Sequence, residues 1–184
     1  MFVTESGERI YIEKWDAGIF FPDCTFLTCS AEWAYGDGPY HQKVKPGTLT
    51  GINRRLAREK AVVFVKTLYN SGIEHVVIEN PIGALSSKFK KPSQVIQPYN
   101  FNENASKGTC LWIKNLPLLK PTGYFPPRIV NGKERWGNQT DSGQNRLSPG
   151  EKRAELRSKT YPGIAKAMAE QWSKYLTGSV DIAV

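Results

Sequence analysis

Two short stretches of this sequence carry groups able to do covalent chemistry on a planar ring. Pro22-Asp23-Cys24 follows the apolar run Ala17–Phe21, and Glu79-Asn80-Pro81 closes the run Val76–Ile78. A thiolate attacks electron-poor carbon, and a carboxylic acid beside it can deliver a proton. Together they suit addition to C6 of a pyrimidine: sulfur bonds to carbon while the acid protonates or hydrogen-bonds the ring nitrogen where charge builds. Asn80 can orient the base or brace the turn. Each residue also has a plainer reading. Free cysteine is among the most buried and inert residue types, and Glu-Asn-Pro can simply close a turn with polar side chains. Placement favours chemistry, because open α/β sheets gather ligands at the carboxyl ends of their strands.

The elements that must position these groups follow from hydrophobic patterning. Arg9–Glu13 alternates and reads as a strand or hairpin arm within an N-terminal segment 1–14. Ala17–Phe21 is a continuous apolar run too short for a helix, hence a buried strand. Residues 30–51 are rich in Gly, Pro, Tyr and Trp and have no period, which predicts a long loop. From Asn53 to Asn70 the period becomes helical: Ile52, Leu56, Val63, Phe64, Thr67 and Leu68 share a face, with Arg54, Arg55, Arg58 and Lys66 outside it. Ser71-Gly72 ends that helix, and His75–Asn80 forms a second buried strand. Strand, helix, strand over this length implies a parallel βαβ unit. Cys24 and Glu79 then share one edge of the sheet.

Thr109–Asn115 reads as a third strand, completing a sheet core over 15–115, and residues 116–147 read as irregular. Within the C-terminal segment 148–184, Ser148-Pro149-Gly150-Glu151 has the form of a capping box opening a helix. A last helix over about Pro162–Leu176 is expected to bury Ile164, Met168, Trp172, Tyr175 and Leu176. The expected fold is α/β: one domain spanning 1–184, with a mixed or parallel sheet and flanking helices.

Composition bounds the function classes. The chain has 184 residues, 40% of them hydrophobic, which is enough for one core and too apolar for a disordered chain. No stretch approaches the ~20 apolar residues of a membrane span, and the N-terminus has no signal-peptide pattern, so a cytoplasmic protein is the expectation. Three cysteines and two histidines argue against a disulfide framework or a zinc site; Cys29 and Cys110 read as structural. The net charge of +8 and pI of about 9.4 attract polyanions, nucleic acid foremost.

Several motifs in order carry a resemblance. Pro-Asp-Cys-Thr, then Ile-Glu-Asn-Pro after a helix, then QVIQPYNF, KGTCLWIKNLP and SKTYPGIAKAMAEQW resemble the back part of phage-encoded DNA cytosine (C5-type) methyltransferases. The similarity runs over nearly all of the chain. It implies a partial Rossmann-like methyltransferase fold in a bacterial host's cytoplasm. It also implies Cys24 as nucleophile, Glu79-Asn80 as the pair holding the target cytosine, and S-adenosylmethionine as cofactor with Pro22 at its edge. The stretch from Phe101 to Trp112 resembles the family's later motif, which implies nucleic-acid contact at Lys107 and Thr109. Family members commonly have Pro where this chain has Asp23, a charge that raises the pKa of a neighbouring thiol. They also have Gly and Pro where it has Asn102 and Asn104. The family's first strand and glycine turn, which hold the methyl donor, have no counterpart before Trp15. The resemblance therefore covers an acceptor-base half. It leaves room for a separate donor-half polypeptide, or for a non-catalytic nucleic-acid-binding remnant.

Basic and aromatic residues extend that picture. Lys88, Lys90 and Lys91 follow the Glu-Asn-Pro corner and are candidates for tracking a DNA backbone. Arg54, Arg55 and Arg58 are either a second such set or a solvated charge run. Trp33, Tyr35 and Tyr40 can either stack on an extruded base or anchor their loop to the core.

Overall fold

The computed structural model describes residues 2–3, 6–10, 14–41, 43–148, 150 and 153–178. Its centre is a four-stranded mixed sheet in the order β3-β4-β6-β5, made of β3 (Ala17–Phe20), β4 (His75–Pro81), β5 (Gln94–Ile96) and β6 (Thr109–Lys114). β3 and β4 run parallel, Ala17 opposite His75 and Phe20 opposite Ile78, and β6 lies antiparallel to both β4 and β5. The long helix α1 (Gly51–Tyr69) connects β3 to β4, which is the βαβ arrangement expected from the apolar runs. The fold is thus α/β with a mixed sheet and flanking helices.

Side-chain alternation divides β4 and β6 between two cores. Val76, Ile78, Cys110 and Trp112 face α1 and pack with Val62 and Val65. Val77 and Leu111 face the opposite way, onto α4 (Pro162–Leu176), and pack with Ile164, Met168 and Trp172. With helices on both faces, β4 is buried along its centre, which explains its unbroken Val-Val-Ile. α4 has the expected bounds, and Pro162 occupies its first turn. Tyr175 and Leu176, expected to be buried, are exposed; the Tyr175 ring meets the sheet's His75 edge-on, with centroids 6.1 Å apart.

Other elements correct the reading of the sequence. α1 has the opposite phase. Ile52, Leu56, Val63 and Phe64 are exposed, whereas Arg54 and Arg58 are buried, because a loop folds over their side of the helix. Among the described residues β3 is an edge strand, with Ile19 exposed rather than fully buried. The short strand β5 went unforeseen. The stretch read as irregular contains a hairpin of β7 (Arg128–Val130) and β8 (Lys133–Arg135). Asn131 (φ 49°) and Gly132 (φ 72°) make its two-residue turn, and positive φ at both positions is what a type I′ turn requires.

At the N-terminus β1 (Phe2–Val3) pairs antiparallel with β2 (Arg9–Ile10). The remainder of the expected 9–13 strand lies outside the described residues. So do Pro149 and Glu151 of the expected capping box, while a short α3 (Arg153–Ser158) follows them. A one-turn helix α2 (Leu85–Lys88) completes the set. No described helix is long and apolar enough to cross a membrane.

Candidate active site

The parallel pairing of β3 with β4 sends both chains out of the sheet at the same edge, where each ends in a polar corner. Beyond β3, the Asp23 carboxylate accepts from the Thr25 amide at 2.8 Å and the Thr25 hydroxyl at 2.7 Å. The Cys24 carbonyl accepts from the amides of Leu27 and Thr28 at 2.9 and 3.0 Å. The backbone thus turns tightly around Cys24, which is half-buried with a free thiol. Beyond β4, Asn80 is buried and its Nδ2 donates to the Pro22 carbonyl at 2.9 Å. The carboxamide therefore braces the cysteine turn against the Glu-Asn-Pro corner.

A second brace lies next to it. The Ala84 amide donates to the Leu27 carbonyl at 2.7 Å, and Thr28 bridges Gly83. A Cβ on Gly83 would come 2.1 Å from the Leu27 oxygen, so only glycine permits this approach.

Glu79 continues the Val77 face of β4, opposite Leu111, and lies over the α4 side of the sheet. Burial pushes its carboxyl above the ordinary glutamate range, against the opposing pull of the Lys107 ammonium. A carboxyl raised in this way keeps its proton to higher pH than a solvated glutamate does. Burial also raises the Cys24 thiol; the Asp23 carboxylate adds to this, Lys107 opposes it, and Glu79 raises it slightly further. The charge of Lys107 is therefore felt at both Cys24 and Glu79. Its backbone amide donates to Gln97 Oε1 at 3.0 Å, and its Nζ donates to the Arg157 carbonyl at 2.9 Å. Thr109 is buried, and its hydroxyl donates to the Lys107 carbonyl at 3.1 Å; it shapes the segment that presents Lys107. Cys110 is buried on the α1 face and Cys29 is exposed.

The Lys88–Lys91 run is held elsewhere. Lys88 pairs with Glu59 of α1 at 2.6 Å. Lys90 sits 3.8 Å over the Tyr69 ring, at the end of α1 farther from the cysteine turn, and Lys91 is exposed on the same segment.

The arginines of α1 are neither a solvated run nor a free basic face. Arg58 donates from Nε to the Phe26 carbonyl at 2.8 Å, contacts the Thr28 carbonyl, pairs with Glu32, and lies 3.4 Å over the Tyr35 ring. Arg54 stacks on the same ring at 4.7 Å, and Arg55 bonds the Tyr35 carbonyl and Asp37. These contacts fasten the loop that follows Cys24. Tyr35 donates to the Phe26 carbonyl and so ties its loop to the cysteine turn, while Tyr40 donates to the Gly36 carbonyl and Trp33 meets Tyr40 edge-on, contacts made within the loop itself.

One feature was not foreseen. A cleft of about 720 Å³ opens beside Lys107, lined also by Arg146, Arg157 and Lys159, with Asn138 and Tyr161 among its polar walls. Its cations come from three separate segments of the chain, and only their shared sign was visible in the sequence. No family model, curated protein or solved structure matches this chain.

Proposed function

We propose that the chain is the acceptor-base module of a DNA cytosine-5 methyltransferase-like enzyme. One observation carries this reading: Cys24 and Glu79 stand at the ends of adjacent parallel strands, cross-braced by the Asn80–Pro22 hydrogen bond, with the charge of Lys107 acting on both. The parallel β3-α1-β4 unit supports reading the sheet as part of a Rossmann-like methyltransferase sheet.

The chemistry follows from these groups. The Cys24 thiolate forms a bond to C6 of cytosine, and the C5–C6 π electrons shift through the ring to N3. Glu79 passes its proton to N3, so the adduct is neutral and C5 becomes an electron-rich enamine carbon. After C5 takes an electrophile, it gives up its hydrogen as a proton to solvent, the thiolate is expelled, and N3 returns its proton to the Glu79 carboxylate, which restores the neutral aromatic base. Lys107 favours the thiolate over the thiol.

S-adenosylmethionine would be the electrophile in this family. The residues here do not fit it as a complete site: its sulfonium is a cation, and the cleft beside Lys107 presents four cations and no lining carboxylate. A donor surface would have to come from outside the described residues, as from a separate donor-half polypeptide.

The base-activation step is testable without any donor, because the enamine carbon also takes hydrogen from solvent. Cytosine-containing DNA incubated with the protein in deuterated water should acquire deuterium at C5, read by mass spectrometry of the nucleosides. Cys24→Ala should abolish the exchange and Glu79→Gln should greatly reduce it. No exchange by the unsubstituted protein between pH 7 and 9 refutes base activation. A second reading, a nucleic-acid-binding remnant, is favoured by the half-buried place of Cys24 next to the Asp23 carboxylate, both of which raise the thiol's pKa. It is left standing if DNA binds without exchange and binding survives Cys24→Ala.

A further inference from the structure

The cleft next to Lys107 has a consistent chemistry that the base-activating residues do not use. Its charged lining groups are Lys107, Arg146, Arg157 and Lys159, all of one sign. Their local partners leave that sign in place. Arg146 uses Nε on the Gln139 carbonyl at 2.7 Å, and Lys107 is tethered to the uncharged Arg157 carbonyl. Lys159 meets Glu155 at 3.6 Å, where both side chains are mostly exposed; such a pair is worth little and is screened by salt. Asn138 is held across the cleft wall, donating to the Ser106 carbonyl at 2.9 Å and receiving the Ser106 amide at 3.0 Å. This wall fixes the segment from which Lys107 projects. Concave surfaces of one sign concentrate the opposite charge, and guanidinium groups suit the geometry of phosphate oxygens.

Resting on the acceptor-base reading above, we infer that this cleft is the phosphate-binding groove for the acceptor strand. Lys107 stands at the junction where the backbone ends and the base-binding corner begins. Arg146, Arg157 and Lys159 would contact backbone phosphates flanking the base presented to Cys24 and Glu79. Lys88 and Lys90 lie against Glu59 and Tyr69 of α1, whereas the four cleft cations converge next to the start of α4, so the proposed track runs on the α4 side of the sheet.

The experiment is the salt dependence of binding to a fluorescein-labelled 20-mer, single-stranded and duplex, measured by anisotropy with no methyl donor. Each phosphate neutralised contributes about 0.9 to the log–log slope for duplex and about 0.7 for a single strand. The combined variant Arg146→Gln, Arg157→Gln, Lys159→Gln should therefore flatten the slope by about 2 to 3 units, and Arg157→Gln alone by about 1. Arg157→Lys should recover most of the single-variant loss. Lys60→Gln, an exposed cation on α1, should leave the slope unchanged. A combined variant that keeps the urea midpoint and the original slope overturns the inference. So does dCMP binding as tightly as the oligonucleotide at equal salt, since the cleft would then hold a terminal phosphate and not a backbone. Deuterium exchange by the unsubstituted protein, set beside its salt slope, separates the two readings. Failed deuterium exchange with an intact slope removes base activation alone, and an unaltered slope in the combined variant with intact exchange removes the groove alone.

Discussion

Replacing Arg58 with Met tests whether a buried guanidinium holds the loop that carries Cys24. The substitution keeps most of the aliphatic stem and deletes the charged head. Lost with it are the donations to the Phe26 and Thr28 carbonyls, the pairing with Glu32 and the stacking on Tyr35. Hydrogen bonds involving a charged group contribute roughly 1.5–3 kcal/mol each. The cation–π contact adds about 1 kcal/mol, and the pair with the half-exposed Glu32 adds under about 1 kcal/mol. Against this, the variant no longer desolvates a guanidinium that is only 8% exposed. The net loss should be about 2–3 kcal/mol, a large share of the 5–15 kcal/mol that is typical of a domain.

Urea unfolding would read that loss at constant m, and the melting temperature should drop by about 5–10 °C. The freed carbonyls lie two and four positions beyond Cys24, so the turn around the thiol should loosen as well. Iodoacetamide labelling of Cys24 in a Cys29→Ser background should quicken at fixed pH. A stability change under about 0.5 kcal/mol together with an unchanged labelling rate would show Arg58 to be an ordinary solvated charge, and would refute the reasoning.

Gly83→Ala should cost about 1–3 kcal/mol by forcing the Leu27 carbonyl away, and deuterium exchange at cytosine C5 should fall further than urea stability alone accounts for. The Glu79 carboxyl is raised in the folded state, so the native protein binds the proton more tightly than the unfolded chain does. Its contribution to stability is fully present below the unfolded glutamate pKa and is lost as pH rises through the folded value. Relative to Glu79→Gln, the unsubstituted protein should accordingly lose urea stability as pH climbs from about 4 toward neutrality; a constant difference across that range contradicts the burial argument. Lys107→Met removes the cation that opposes burial at both groups, so the pH midpoint of Cys24 alkylation should move upward; a downward or absent shift would mean that the ammonium does not act on the thiol.

What could be read in advance followed the range of the interactions responsible. β4 and α4 were legible because each buries its own regular pattern: a continuous apolar run for a strand covered on both faces, and Ile164, Met168 and Trp172 at helical spacing. The joint placement of Cys24 and Glu79 followed from the strand-helix-strand order alone. α1 misled because its periodic apolar residues are its exposed ones. The buried face uses Arg54 and Arg58, whose loop partners lie 19 to 32 positions upstream in a stretch without period, so helical spacing could not reveal them. The hairpin over 128–135 was announced by Asn131-Gly132, and the prolines just before it drew the reading toward irregular chain. Lys107 was reached through resemblance, whereas Arg146, Arg157 and Lys159 lie in unrelated segments that only the tertiary fold brings together.

The open edge of β3 bears on how molecules of this protein treat one another in solution. Among the described residues the strand has a neighbour on one side only, and Trp15, Ile19 and Phe21 are exposed along it. Bare strand edges with apolar side chains tend to stick to their like. The obstacle to this is colloidal: at +8 each molecule repels the next. That repulsion reaches only about 10 Å at 0.1 M salt and about 3 Å at 1 M. Concentrated salt, or a polyanion added below saturation, should therefore cloud a solution that stays clear in dilute buffer.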